Sequence, residues 1–140
     1  MMSEQTTSST SPCWLLGVDL QPGTRELIEQ AGALADAANR ALVVCAVLSS
    51  QSTDLDENVS DAQLSEVSAQ YGFVRETIVR RGDITEELLL CASEVQAEVI
   101  VVGRRHRPLQ HTLYRGRSIG ELVAAVDRPL LVIPLGKDAS

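Results

Sequence analysis

The stretch from Gly103 to Ser118, GRRHRPLQHTLYRGRS, gathers the groups best able to do chemistry. Five of the twelve Lys and Arg residues (Arg104, Arg105, Arg107, Arg115, Arg117) and both histidines, His106 and His111, fall within it. No Asp or Glu occurs between Glu98 and Glu121, although the chain as a whole carries a formal charge of -7. Arginine offers permanently charged, two-pronged contacts to carboxylate or phosphate. An apolar run, Val99 to Val102, comes just before this stretch, and a helical pattern comes just after it. A buried strand that opens through a basic, glycine-bounded loop into a helix N-terminus is suited to an anion, because amide N–H groups and the helix dipole converge there. A local basic patch on an acidic chain fits a small anionic ligand better than a polyanion.

Other chemistry finds less support. The two histidines stand five apart with no Cys or acid beside them, so a metal site is not expected. There is no GxSxG nucleophile elbow and no GxxxxGK[ST] phosphate loop. Cys13, Cys45 and Cys91 form no CxxC pair and read as small buried hydrophobes in a reducing compartment. Aromatic residues make up only 3% of the chain. That scarcity, with the acidic balance, argues against nucleic-acid binding. No apolar run approaches the length of a membrane span. The first eleven residues, MMSEQTTSSTS, lack the basic start and apolar middle of a signal peptide. They read as a disordered lead-in, 137–140 as a polar tail and 12–136 as one domain, placed in the cytoplasm.

The elements that must position the loop follow from hydrophobic patterning. Trp14 to Val18, Ala41 to Leu48, Val99 to Val102 and Leu130 to Ile133 are short runs apolar on both faces, as in the strands of a covered parallel sheet. Phe73 to Arg80 interleaves charges and reads as an exposed edge strand. Leu27, Ile28, Ala31, Leu34, Ala35 and Ala38 mark one helix; Ile84, Leu88, Leu89, Ala92 and Val95 mark another. Asp83 and Glu86 form a capping box at the start of the second. Ile119, Leu122, Val123 and Val126 mark the last helix, ended near Arg128-Pro129. The polar segment 49–71 is expected to hold a loop and a shorter helix from about Val59 to Gln70. Arg80 and Arg81 are expected to be solvated, and Trp14 to pack in the core or at a dimer face. Alternating strands and helices give an α/β fold with a doubly wound parallel sheet, whose ligands bind at the carboxyl ends of strands where the order reverses. Asp19 ends the first strand and Gly103 the fourth.

These residues together resemble the universal stress protein family from Trp14 to Pro134. The resemblance rests on the first strand ending Gly17-Val18-Asp19 and on Ala97-Glu98-Val99-Ile100-Val101-Val102-Gly103. It rests also on the last strand, Pro129-Leu130-Leu131-Val132-Ile133, and on Gly103, position 106 and Gly116 in the register of the family's Gly-x2-Gly-x9-Gly motif. The resemblance implies a five-stranded parallel sheet of order 3-2-1-4-5 and a homodimer through Leu130, Leu131, Val132 and Ile133. It implies a stress-response role without catalytic turnover, with ATP, ADP, AMP or cyclic AMP as the ligand in those members that bind a nucleotide, while others bind none. Asp19 would then lie near base and ribose and Ala46 on the adenine wall. Gly103 and Gly116 would let backbone approach phosphate, flanked by Arg104, Arg105, His106, Arg117 and Ser118.

The motif is altered at several positions. His106 stands at the middle glycine, Arg117 at the Ser/Thr after the last glycine, and Ile119 at a further hydroxyl position. Leu20-Gln21 replaces the Gly-Ser that follows the first-strand Asp. Two readings stay open: the arginines replace the lost phosphate contacts, or Arg117 and His106 fill the hole and the protein works as a dimeric interaction module.

Overall fold

The computed structural model describes residues 11–105 and 116–135. Five strands alternate with four helices: β1 (Cys13–Val18), α1 (Thr24–Ala37), β2 (Ala41–Leu48), α2 (Asp54–Ser68), β3 (Val74–Arg81), α3 (Ile84–Val95), β4 (Ala97–Arg105), α4 (Gly116–Ala125) and β5 (Leu130–Leu135). All strand pairs are parallel and the order is β3-β2-β1-β4-β5, as the resemblance implied.

The period-two alternation of each inner strand serves two cores. Leu16, Val18, Leu42, Val44, Ala46 and Val101 face α1 and α2, where they meet Leu27, Ile28, Ala31, Ala35 and Leu64. Cys13, Leu15, Val43, Cys45, Val47, Ile100 and Val102 face α3 and α4, where they meet Leu88, Cys91, Ala92 and Leu122. Strands covered on both faces must be apolar at every position, which is why these runs show no polar alternation. Trp14 packs against the first core. All three cysteines are buried.

The helix ends show where local rules act. The helix expected from about Val59 begins earlier, at Asp54. Thr53 accepts from the Asp56 N–H and the Asp56 carboxylate accepts from the Thr53 N–H, a complete capping box. At α3 the Asp83 side chain accepts from the Glu86 N–H, which is the Asp83 half of the box expected there. The same helix ends on Gln96, exposed and in the left-handed region at φ 58°. That conformation strains any residue with a Cβ, and glycine is its usual occupant. Gln96→Gly is therefore expected to stabilise the fold by about 0.5–1 kcal/mol, read as a raised urea midpoint at unchanged slope.

Candidate functional site

The order reversal of the sheet falls between β1 and β4, and the carboxyl ends of these strands lie side by side. Gly17 is opposite Val102 in the parallel register. The two strand-end residues singled out by sequence, Asp19 and Gly103, line one cleft with Gly17, Val18, Thr24, Leu27 and Leu135. Its volume is about 10 Å³, room for about one water molecule. Two leucines take up the rest. A Cβ placed on Gly103 would lie 2.9 Å from Leu27 Cδ2 and 3.1 Å from Leu135 Cδ1. The bare glycine thus lets α1 and the end of β5 close over β4.

Asp19 holds its own loop in shape. Its Oδ1 accepts from the Gln21 N–H at 3.0 Å, a turn that Asp side chains commonly form. The Thr24 hydroxyl and N–H both donate to the Gln21 carbonyl. Leu20, between them, adopts φ 60° while packing against the α1-side core. The residue that replaces the family's glycine after Asp19 thus keeps a glycine-like backbone.

Ala46 is buried in the α1-side core, 1% exposed, in register with Val18. Arg104 is exposed and Arg105 ends β4, opposite Pro134 and Leu135 respectively. β4 therefore runs past the end of β1. Gly116, Arg117 and Ser118 open α4. His106 and His111 lie outside the described residues.

Sequence reasoning missed a second, larger cavity at the same edge of the sheet. An open depression of about 270 Å³ is lined by Val47, Ser49, Gly82, Asp83, Ile84, Thr85 and Glu121. It lies beyond the ends of β2 and β3, against the start of α3 and the first turns of α4. Its lining comes from three separated segments, none with a motif. Gly82, at φ 144°, is the bend between β3 and α3, a backbone shape closed to most other residues.

Arg80 and Arg81 are not simply solvated, contrary to expectation. Arg81 donates to Glu57 Oε1 at 2.8 Å and to the Ser52 carbonyl at 2.8 Å, and pairs with Asp54. It ties the end of β3 to the start of α2. Arg80 pairs with Glu87 at 3.7 Å and with Glu94, both on α3. Neither pairing is visible in sequence, because the acids come from other elements. No described helix is long and apolar enough to cross a membrane.

Comparison with known proteins agrees with this geometry. The sequence profile of the universal stress protein family matches residues 15–134. No curated protein shows a significant match to the sequence. Among solved structures, the chain is similar to a universal stress protein from Archaeoglobus fulgidus in complex with dAMP, at TM-score 0.68 and 17% identity, covering 89% of this chain and 98% of that one. It is similar also to a universal stress protein in complex with cAMP, at TM-score 0.66 and 18% identity, covering 89% and 98%. A protein of the family from Burkholderia pseudomallei matches at TM-score 0.68 and 21% identity, covering 91% and 98%.

Proposed function

Because the chain belongs to the universal stress protein family, we propose that it is a non-catalytic binding module of the stress response, taking an adenine nucleotide or related phosphate compound at the switch point of its sheet. The observation that carries this reading is the meeting of Asp19 and Gly103 in one cleft at the ends of β1 and β4. Two solved neighbours are described as complexes with dAMP and cAMP, which supports ATP, ADP, AMP or cyclic AMP as the class of ligand. In this reading the phosphates go to the basic segment of Arg104, Arg105, His106, Gly116, Arg117 and Ser118. The larger cavity is edged by Asp83 and Glu121. Those carboxylates repel phosphate, so the cavity suits the uncharged base and ribose hydroxyls. Phosphoryl transfer needs an oriented water, a base and usually Mg²⁺ ligands. Asp19 has one oxygen engaged in its own turn, so turnover is not expected.

The protein acts as a homodimer in the cytoplasm in this reading. β5 is the last strand of the sheet, and its Leu130, Leu131 and Val132 are only half buried. An apolar edge of this kind is best paired with its own copy across a two-fold axis.

One observation favours the second reading, a closed module that works through its surface. Leu27 and Leu135 already occupy the switch-point cleft down to about 10 Å³. Melting curves with and without millimolar ATP, ADP, AMP and cyclic AMP separate the two. A ligand at a hundred times its dissociation constant adds about 2.7 kcal/mol to the native state, an evident rise in Tm. Nucleotide binding predicts that rise in the natural protein and its reduction in Arg117→Ser. The closed module predicts no rise, or a rise that emerges only in Arg117→Ser.

A further inference from the structure

A second group of reactive side chains lies apart from the switch point, on the α3 face of the sheet. Cys45 on β2 and Cys91 on α3 are both fully buried and belong to the same core. Each thiol perturbs the ionisation of the other, as two cysteines facing each other in one core do. Cys45 stands opposite Ile78 on β3, so Arg80, two residues further along, shares its face. On α3, Glu87, Cys91 and Glu94 follow at i, i+4 and i+7 and form one stripe. Arg80 spans that stripe by pairing with Glu87 at 3.7 Å and with Glu94. The two carboxylates thereby hold the guanidinium beside the cysteine between them, where its charge favours the thiolate. The Arg80 Nε is buried and has no hydrogen-bond partner among the described residues. A buried cationic N–H without an oxygen acceptor, beside a thiol, is suited to a sulfur that is partly anionic.

We propose that Cys45 and Cys91 form a peroxide-oxidisable dithiol that closes to a disulfide between β2 and α3, with Cys91 as the attacking sulfur. The Cys91 thiol is held below the usual cysteine range, first by the facing Cys45 thiol and then by the nearby Arg80 charge, against the opposing effect of burial. Cys45 is pushed upward by Cys91 and by burial, so it acts second. In the first step the Cys91 thiolate attacks one oxygen of hydrogen peroxide and the O–O bond breaks. Cys91 becomes a sulfenic acid, and the departing hydroxide takes the proton released from the thiol and leaves as water. In the second step the Cys45 sulfur attacks the Cys91 sulfur. The S–O bond breaks, the S–S bond forms, and the Cys45 proton leaves with the hydroxyl as a second water. The two thiols are oxidised and one peroxide is reduced to two waters. The approach is from the Arg80 side, where that side chain is 24% exposed.

Cys13 is an internal control. Its thiol donates to the Val95 carbonyl at 3.5 Å. It lies four rows from Gly17, the residue opposite Cys45. That is about 13 Å along the strands, too far for a bridge to Cys45.

The test is mass spectrometry of the full chain after graded hydrogen peroxide, followed by unfolding and alkylation. The expected result is the loss of two hydrogens, a fall in alkylatable thiols from three to one, and a peptide linking Cys45 to Cys91 that dithiothreitol releases. Cys45→Ala is expected to leave a sulfenic acid on Cys91 that dimedone captures. Arg80→Gln is expected to slow oxidation several-fold. Three alkylatable thiols after full peroxide exposure of the natural protein would overturn the proposal. So would a bridge that includes Cys13, or oxidation of Cys91 to sulfinic acid with no bridge. The natural protein alone decides the question if a variant fails to fold.

Discussion

Leu88→Ala is expected to destabilise the protein by about 2–5 kcal/mol, the range for emptying a fully buried leucine site. Leu88 is fully buried on α3 and packs into the core shared with Leu15, Val43 and Val102. What sets it apart is its contact with the central strand. A Cβ built on Gly17 would lie 2.9 Å from Leu88 Cδ2 and 3.0 Å from Cδ1. The leucine methyls therefore occupy the volume that a side chain at position 17 would need. Gly17→Ala alone should overpack the same spot and cost about 1–3 kcal/mol. Combined, the two substitutions should interact favourably. The new methyl enters the void left by Leu88, so the double variant is more stable than the sum of the single effects by about 1–2 kcal/mol. Urea unfolding of the four proteins measures this coupling. Strict additivity would mean that α3 does not rest on the bare Gly17. Because Gly17 also lines the Asp19 cleft, the same cycle reports how firmly the floor of the candidate site is set.

The strands were legible because a parallel sheet covered on both sides needs an unbroken apolar run, and few other contexts in a chain of this size do. The meeting of Asp19 with Gly103 was legible for the same reason, since the order reversal brings those two strand ends together. The start of α2 was not read from periodicity because only Leu64 and Ser68 of that helix are buried. With so little of its surface in the core, the apolar stripe is too thin to mark a boundary. The signal that could have marked it was local: Thr53 three residues before Asp56, with Asp54 and Glu57 filling out an acidic first turn. The pairing of Arg80 and Arg81 could not be read at all. Arginines at a strand end look alike whether they meet water or acids on a neighbouring helix, and only the packing of α2 and α3 against β3 distinguishes the two. The narrowness of the switch-point cleft was hidden likewise. It depends on where two leucines from α1 and β5 come to rest, not on any residue in the glycine motif.

Gly32→Ala should destabilise the protein, although in an isolated helix alanine is favoured over glycine by about 1 kcal/mol. Gly32 is buried within α1. A Cβ there would lie 2.0 Å from Phe73 Cε1, 2.2 Å from Cζ and 2.5 Å from Cδ1. No contact of that kind survives without movement, and the Phe73 ring is not free to swing away. It stacks on Tyr71 with centroids 5.4 Å apart and planes at 19°. The Tyr71 hydroxyl in turn donates to Glu29 Oε2 at 2.5 Å, while Arg25 donates to Gln70 Oε1 at 2.6 Å. Glu29 and Arg25 both lie on α1, so the helix and the aromatic pair hold each other in place. Relief would require lifting α1 from the sheet or expelling the ring. Overpacking of this sort costs about 1–3 kcal/mol and exceeds the propensity gain. The decisive measurement is a change of sign. In a Phe73→Ala background the obstacle is gone, and Gly32→Ala should there stabilise by up to about 1 kcal/mol. Equal destabilisation in both backgrounds would show that position 32 is constrained by its own backbone and not by the ring, and the account of how α1 is seated beside β3 would have to be abandoned.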